Sequence, residues 1–287
     1  MQRERLGRHC RLVSVDATAS SGGRFGPALL RRVGEGVVVL IASDVLVTGS
    51  LAAVLEEAEQ GRIAAFVYGS GVRRVAGWQE RFGLASAPRA QPYVNAGFVC
   101  FSAGCWPLLL ERWRQACERG LRASVGGADG DSPALVAQDG LNAVLMSEVA
   151  ADALAAHDYV LAPLSSELGA VRVRDVDRVR CVHRGRETLL LHHTCRPLPW
   201  EPRAWIVRPF LAYTRLLARL VFAPDVTLRL QPDELPARLR PGVRGDATRA
   251  GLACLRVAFR TGAGLVPASL HDRIRTTIRG WAGDQAP

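Results

Sequence analysis

Asp44 is the residue most in need of a reason. It interrupts the most apolar stretch of the chain, "VVVLIASDVLVTGSL" over 37–51. A carboxylate in such a place is a turn or cap residue, or a group set to meet a ligand. Three further patches carry side chains able to bind or orient a polar substrate. "PYVNAGF" offers Asn95 and Gly97, "AQDGLN" offers Gln138 and Asp139, and "HHTCRPLPW" offers the paired imidazoles His192 and His193 with Arg196 close behind. Each patch also has a local reading. Asn and Gly favour an ordinary turn before a strand. Gln138 and Asp139 suit the first turn of a helix, where a carboxylate meets the positive end of the dipole. A histidine at a strand end is readily satisfied by backbone.

The elements around these residues set where they stand. Val37–Ile41 is β-branched and apolar on both faces, the pattern of an interior strand in a parallel sheet. "SLAAVLEEAEQGR" predicts a helix with Ser50 as N-cap and Gly61 as its stop, and "IAAFVYG" predicts the next strand. Strand, helix and strand in close succession form a βαβ unit with a right-handed crossover. Open sheets of this kind bind ligands beyond the carboxyl ends of their strands, and Asp44 falls just past such an end.

Upstream, 11–16 reads as a weak strand and "RFGPALLRRVGEG" as a helix. Downstream come a strand at 97–101, a helix over 106–118, the Gly- and Asp-rich loop "SVGGADGDSP", a helix starting near Gln138 and the strand "ETLLLHHTCRPLPW". After Trp205 the texture changes. "PFLAYTRLLARLVF" predicts an amphipathic helix with Arg208, Arg215 and Arg219 on one face and Phe210, Tyr213, Leu217 and Val221 on the other.

Composition narrows the classes. An apolar fraction of 48% over 287 residues supports a sizeable core. No apolar run reaches the ~20 residues that span a bilayer, and the N-terminus leads into no secretory signal. Seven cysteines without a C-x-x-C argue against a disulfide framework or a zinc site, and predict a cytoplasmic protein with reduced, mostly buried thiols. The formal charge is +10, carried by arginine alone because the chain has no lysine. That excess attracts phosphate-bearing partners. Nucleic acid ranks low among them, since the arginines are not interleaved with stacking aromatics.

In their order and spacing, Asp44, "PYVNAGF", "AQDGLN" and "HHTCRPLPW" resemble the nucleotide-sugar glycosyltransferases of family 8, over roughly 25–205. The resemblance implies an α/β, GT-A Rossmann-like and mostly parallel sheet in a partial transferase domain over 1–205, followed by a helical, Arg-rich region over 206–287. It implies that Asp44 is the second carboxylate of an aspartate-x-aspartate motif for Mn²⁺ or Mg²⁺, with His192 as a further metal ligand. Asn95 would face the donor sugar, Gly97 would allow close approach, Gln138 would lie near the anomeric carbon and Asp139 would orient the group. Four positions depart from the pattern. Ala42 replaces the first aspartate, Ala137 the leading aspartate of D-Q-D, Cys195 a glycine and Leu198 a lysine, with Arg196 placed to supply charge to the diphosphate. Many more residues precede the metal motif in that family than the 43 before Asp44. The shortfall implies either a start upstream of Met1 or a shortened relative with an incomplete base pocket.

Two functions follow from the resemblance. One is retaining transfer from a nucleotide-sugar, such as a UDP-sugar, to a carbohydrate or lipid-linked acceptor, with the arginine-rich helices docked on the domain or resting on an anionic membrane surface. The other is a catalytically inactive relative that acts as a binding or scaffold protein.

Overall fold

The computed structural model describes residues 35–69, 75–125, 133–194 and 211–222, with the single positions 243, 247 and 251. In chain order the elements are β1 (Val37–Ile41), β2 (Val45–Val47), α1 (Ala52–Glu59), β3 (Ile63–Val67), α2 (Trp78–Phe82), β4 (Val94–Ser102), α3 (Leu109–Val125), α4 (Pro133–Glu148), β5 (Leu154–His157), β6 (Arg172–Asp175), β7 (Arg180–His183), β8 (Arg186–Glu187), β9 (Leu190–His192) and α5 (Leu211–Phe222). The chain divides into two compact units. The first comprises Met1–Val45, Gly49–Pro163 and Thr188–Leu190, the second Leu46–Thr48, Leu164–Glu187 and Leu191–Pro287.

The first unit is built on a mixed sheet of order β1-β4-β3-β5. β1 and β3 each run antiparallel to β4, and β5 runs parallel to β3. The α/β class expected from the sequence therefore holds, with a sheet that is only partly parallel. β1, β3 and β5 point the same way and β4 is reversed. The expected βαβ unit needs two corrections. β1 and β3 do not pair, because β4 lies between them. Nor is β1 an interior strand among the described residues: it ends the sheet, and Val39 and Ile41 are exposed. The nine residues of β4 are buried or nearly so along their whole length, which suits a strand laddered on both sides.

Alternation along the strands divides the core. Ile63, Ala65, Val99 and Phe101 face α3 and α4, meeting Trp113, Leu141 and Leu145. Ala64, Phe66, Phe98 and Cys100 face α1, meeting Val54 and Ala58. The N-cap of α1 is Leu51 rather than the expected Ser50, although Ser50 Oγ accepts the Ala52 N–H at 3.3 Å. Gly61, at φ +86°, follows the end of that helix as predicted.

Helix α4 starts at Pro133 rather than near Gln138. Proline suits a first helical position because its missing N–H has no partner to lose there. Gln138 and Asp139 consequently lie in the second turn, too deep to cap the helix. From Val136 to Val149 this segment is buried on nearly every face.

The C-terminal carbonyls of α4 are capped from outside the helix. The Arg89 guanidinium donates to the carbonyls of Met146, Ser147 and Val149 at 3.3, 3.3 and 2.8 Å, and Gln91 Nε2 donates to Val149 at 2.7 Å. Cationic donors at a helix C-terminus also meet the negative end of its dipole. Arg89→Ala is expected to cost about 1–2 kcal/mol, read as a lower urea midpoint with an unchanged m-value.

Among the described residues the cysteines are free: Cys105 is exposed, and Cys100, Cys117 and Cys181 are buried. Burial, aided by Glu59, pushes the Cys100 thiol up to about 11. Burial, aided by Glu118, pushes Cys117 up to about 12. Both thiols ionise earlier in the unfolded chain, so their contribution to stability is complete below about pH 8.5. It is lost as pH rises towards those values. Peptide mapping after brief maleimide treatment of the native protein is expected to find Cys105 modified and Cys100 and Cys117 intact until denaturant is added.

The second unit holds the antiparallel sheet β6-β7-β8, with Leu46–Val47 of β2 and Leu191–His192 of β9. A two-residue turn at Arg184–Gly185, both with positive φ, joins β7 to β8, the geometry that matches strand twist in tight hairpins. Ala212, Tyr213 and Leu216 of α5 bury their side chains against Leu46, Leu168, Cys181 and Leu191. Arg215 is exposed, in keeping with the predicted polar face. Arg208, the side chain of Arg219 and the later arginines lie outside the described residues. No helix among the described residues is long and apolar enough to cross a membrane.

Candidate active site at the carboxyl edge of the first sheet

The strand directions bring the carboxyl ends of β1, β3 and β5 to one edge of the sheet, beside the amino end of β4. Asp44 lies there in a turn after β1, half-buried. The turn is tied to the Asn95–Gly97 stretch, because the Ala42 N–H donates to the Gly97 carbonyl at 2.8 Å.

That stretch is a bulge in β4. Between two of its pairings with β3, from Ala65↔Val99 to Val67↔Val94, β3 moves two residues and β4 moves five. The three extra residues of β4 lose their ladder partners and need others. Side chains supply them. Gln138 Oε1 accepts the Ala96 N–H at 2.9 Å, and Gln138 Nε2 donates to the Val94 carbonyl. Asn142 Oδ1 accepts the Val94 N–H at 2.7 Å, while its Nδ2 donates to the same residue's carbonyl at 2.8 Å. Asn95 Oδ1 accepts the Gly97 N–H at 2.6 Å, an Asx-turn of the kind the local reading of the sequence expects. Gln138 and Asn142 stand four residues apart and so share one face of α4.

Asp139 is 2% exposed and accepts a hydrogen bond from the Tyr93 phenol at 2.6 Å. Tyr93 in turn meets the Tyr68 ring edge-to-face at 5.7 Å and the Trp78 ring at 6.3 Å. The Tyr68 N–H donates to the Tyr93 carbonyl at 2.8 Å. At the end of β5, His157 tilts against Phe66 with centroids 5.5 Å apart. Burial holds its imidazole below the ordinary range, partly opposed by Glu57.

Of the residues singled out in the sequence, Asp44, Asn95, Gly97, Gln138 and Asp139 all belong to this unit. Gln138 is not free to face a substrate with its amide: both ends of that group hold β4. His192 belongs to the second unit, half-buried at the end of β9 and bridged to Leu164. Arg196, Cys195 and Leu198 lie outside the described residues. Among the described residues no three His, Cys, Asp or Glu side chains gather as a metal cage. Asp44, with alanine at 42, does not fit a resident metal by itself.

Sequence reasoning missed two roles. Tyr93 was visible within "PYVNAGF", but nothing local to that motif pointed to its contact with Asp139. Asn142 carried a signal, since a polar residue spaced four from Gln138 in an otherwise apolar helix needs a buried partner.

No protein-family model and no curated protein matches the sequence. Among solved structures the chain is similar to the galactosyltransferase LgtC in complex with donor and acceptor sugar analogues, at 18% identity and a TM-score of 0.41, covering 74% of this chain and 72% of that one.

Proposed function

We propose that the chain is a glycosyltransferase of family 8 type, with a GT-A domain, moving a sugar with retention from a nucleotide-diphospho-sugar to a carbohydrate or lipid-linked acceptor. One observation carries the reading. Three patches distant in sequence, around 42–44, 95–97 and 138–139, meet through backbone and side-chain hydrogen bonds at the sheet edge where open α/β folds bind ligands.

The reading assigns each residue of the edge a role. Asp44 marks the diphosphate end of the edge. Asn95 and the bulge backbone form the floor under the donor sugar, where Gly97 lets backbone approach. Asp139 fixes the Tyr93 phenol and gives the edge a buried carboxylate. Gln138 positions the floor. A divalent cation, Mn²⁺ or Mg²⁺, would supply neutralisation of the diphosphate when bound, and Asp44 is the ligand the reading assigns to it on this edge.

The second reading, a sugar-nucleotide-binding relative without turnover, is favoured by the engagement of Gln138 at both ends and by Ala42 and Ala137. Incubation with a panel of UDP-sugars and Mn²⁺, following release of UDP, separates the two. Release that needs both metal and protein supports transfer. Its absence, with Ala42→Asp also silent, sinks the transferase reading.

A further inference from the structure

The chain has four tyrosines, and their distribution is uneven. Tyr213 is fully buried in the core of the second unit. The other three stand together at the carboxyl edge of the first sheet: Tyr68 after β3, Tyr93 before β4 and Tyr159 after β5. All three are half-buried, whereas the buried aromatic rings of the same unit are Phe and Trp. At Tyr68 and Tyr159, tyrosine in place of phenylalanine gives a ring with an apolar body and a polar tip, while the Tyr93 hydroxyl is taken up by Asp139.

The three rings are held in place. Tyr93 is fixed at its hydroxyl by Asp139 at 2.6 Å and flanked by Trp78. Tyr68 meets it edge-to-face and is tied to it through backbone. Tyr159 lies against Gly69, where an added Cβ would come within 2.6–3.2 Å of three ring carbons. Residue 69 must therefore lack a side chain for the ring to sit there.

Sheet order then says which part of a substrate meets these rings. Along the edge, Asp44 follows β1, Tyr93 and the Asn95 bulge go with β4, and Tyr68 and Tyr159 follow in the order of β3 and β5. If the diphosphate lies at Asp44 and the donor sugar over the bulge, the next position outward belongs to the acceptor. Rigid amphipathic rings give contact area at low entropic cost, and they suit a ligand with an apolar face and a hydroxyl-lined rim.

We infer that Tyr68, Tyr93 and Tyr159 form an aromatic platform for the pyranose face of a carbohydrate acceptor. This rests on the transferase or sugar-nucleotide reading for its orientation, but the carbohydrate contact is testable without it.

The test uses the full chain labelled with ring-¹³C tyrosine, whose four ring signals are assigned by Tyr→Phe variants. Methyl β-D-galactoside, maltose and cellobiose are titrated to high millimolar concentration, with sorbitol as an acyclic polyol control and UDP with Mn²⁺ as a separate arm. The expected result is a saturable shift of the Tyr68, Tyr93 and Tyr159 signals with at least one saccharide, no shift with sorbitol, and no movement of Tyr213. Three results overturn the inference: no saccharide response, an equal response to sorbitol, or a response of the three rings to UDP with Mn²⁺ alone. UDP affinity, measured separately by calorimetry, bears on the sugar-nucleotide reading. Saccharide binding without UDP binding retains the platform and removes that reading, while the reverse removes the platform alone.

Discussion

Asn142→Ala is expected to destabilise the first unit by about 2–4 kcal/mol, because it strands a buried backbone donor and leaves a void. Asn142 is fully buried and makes three hydrogen bonds, two to Val94 and one to the Gln138 carbonyl. The Val94 carbonyl keeps Gln138 as a donor after the substitution. The Val94 N–H, in a residue that is itself 0% exposed, keeps nothing. In a protein of this size the melting midpoint should fall by roughly 5 °C or more. Asn142→Asp serves as the control. It preserves volume and the acceptor for the Val94 N–H, yet sets a carboxylate oxygen against two carbonyls. A loss as large as that of the alanine variant is expected, whereas tolerance of both substitutions would show that the bulge does not depend on this clamp.

Gln138→Glu separates a positioning role from a chemical one. A glutamate there can still accept the Ala96 N–H, but in its ionised form it cannot donate to the Val94 carbonyl. The expected cost near neutral pH is about 1–3 kcal/mol. Its pH dependence has a definite sign. The protonated acid can donate to that carbonyl, so the native state favours protonation and the folded pKa rises above the usual glutamate value. The penalty relative to wild type is small below about pH 4.3 and grows as pH rises through the folded value. Urea titrations of both proteins across that range measure the gap directly. A gap between wild type and the Gln138→Glu variant that ignores pH would contradict the hydrogen-bond assignment. A group that only met substrate would leave stability unmoved at every pH.

Much of the fold was legible because local and global signals agreed. β1 and β3 read as strands from β-branched and apolar runs, and both are strands of the first sheet. Gly61 read as a stop and follows α1. The amphipathic pattern of α5 placed Tyr213 and Leu217 on its packed side and Arg215 outside, as observed. Neighbour order in the sheet was not legible, because an antiparallel strand inserted between β1 and β3 leaves no mark on either. For the same reason the apolar run of β1 gave no sign that Val39 and Ile41 would stand exposed at the end of the sheet. The start of α4 was misplaced for a different reason: Pro133 sat within a Gly- and Asp-rich run whose loop signal outweighed a proline's fitness for a first helical position.

The site was legible by residue and not by role. Asn95, Gly97, Gln138 and Asp139 stood out in the sequence and converge in space. Their partners depend on a three-residue bulge in β4, a feature of strand pairing rather than of either strand alone. Side-chain amides spaced along α4 satisfy the backbone that the bulge strips of ladder partners. The same polar residues that resemble a sugar-binding motif are therefore also what holds the edge in shape.

The most direct test of the account is titration calorimetry of UDP into the full chain, with and without Mn²⁺, beside the Asp44→Asn variant. A saturable heat that requires the metal is expected, with an affinity weakened about tenfold or more, equivalent to ~1.4 kcal/mol, by the substitution. Absence of binding at millimolar UDP with Mn²⁺, or equal affinity in Asp44→Asn, would contradict the claim that this sheet edge is a sugar-nucleotide site.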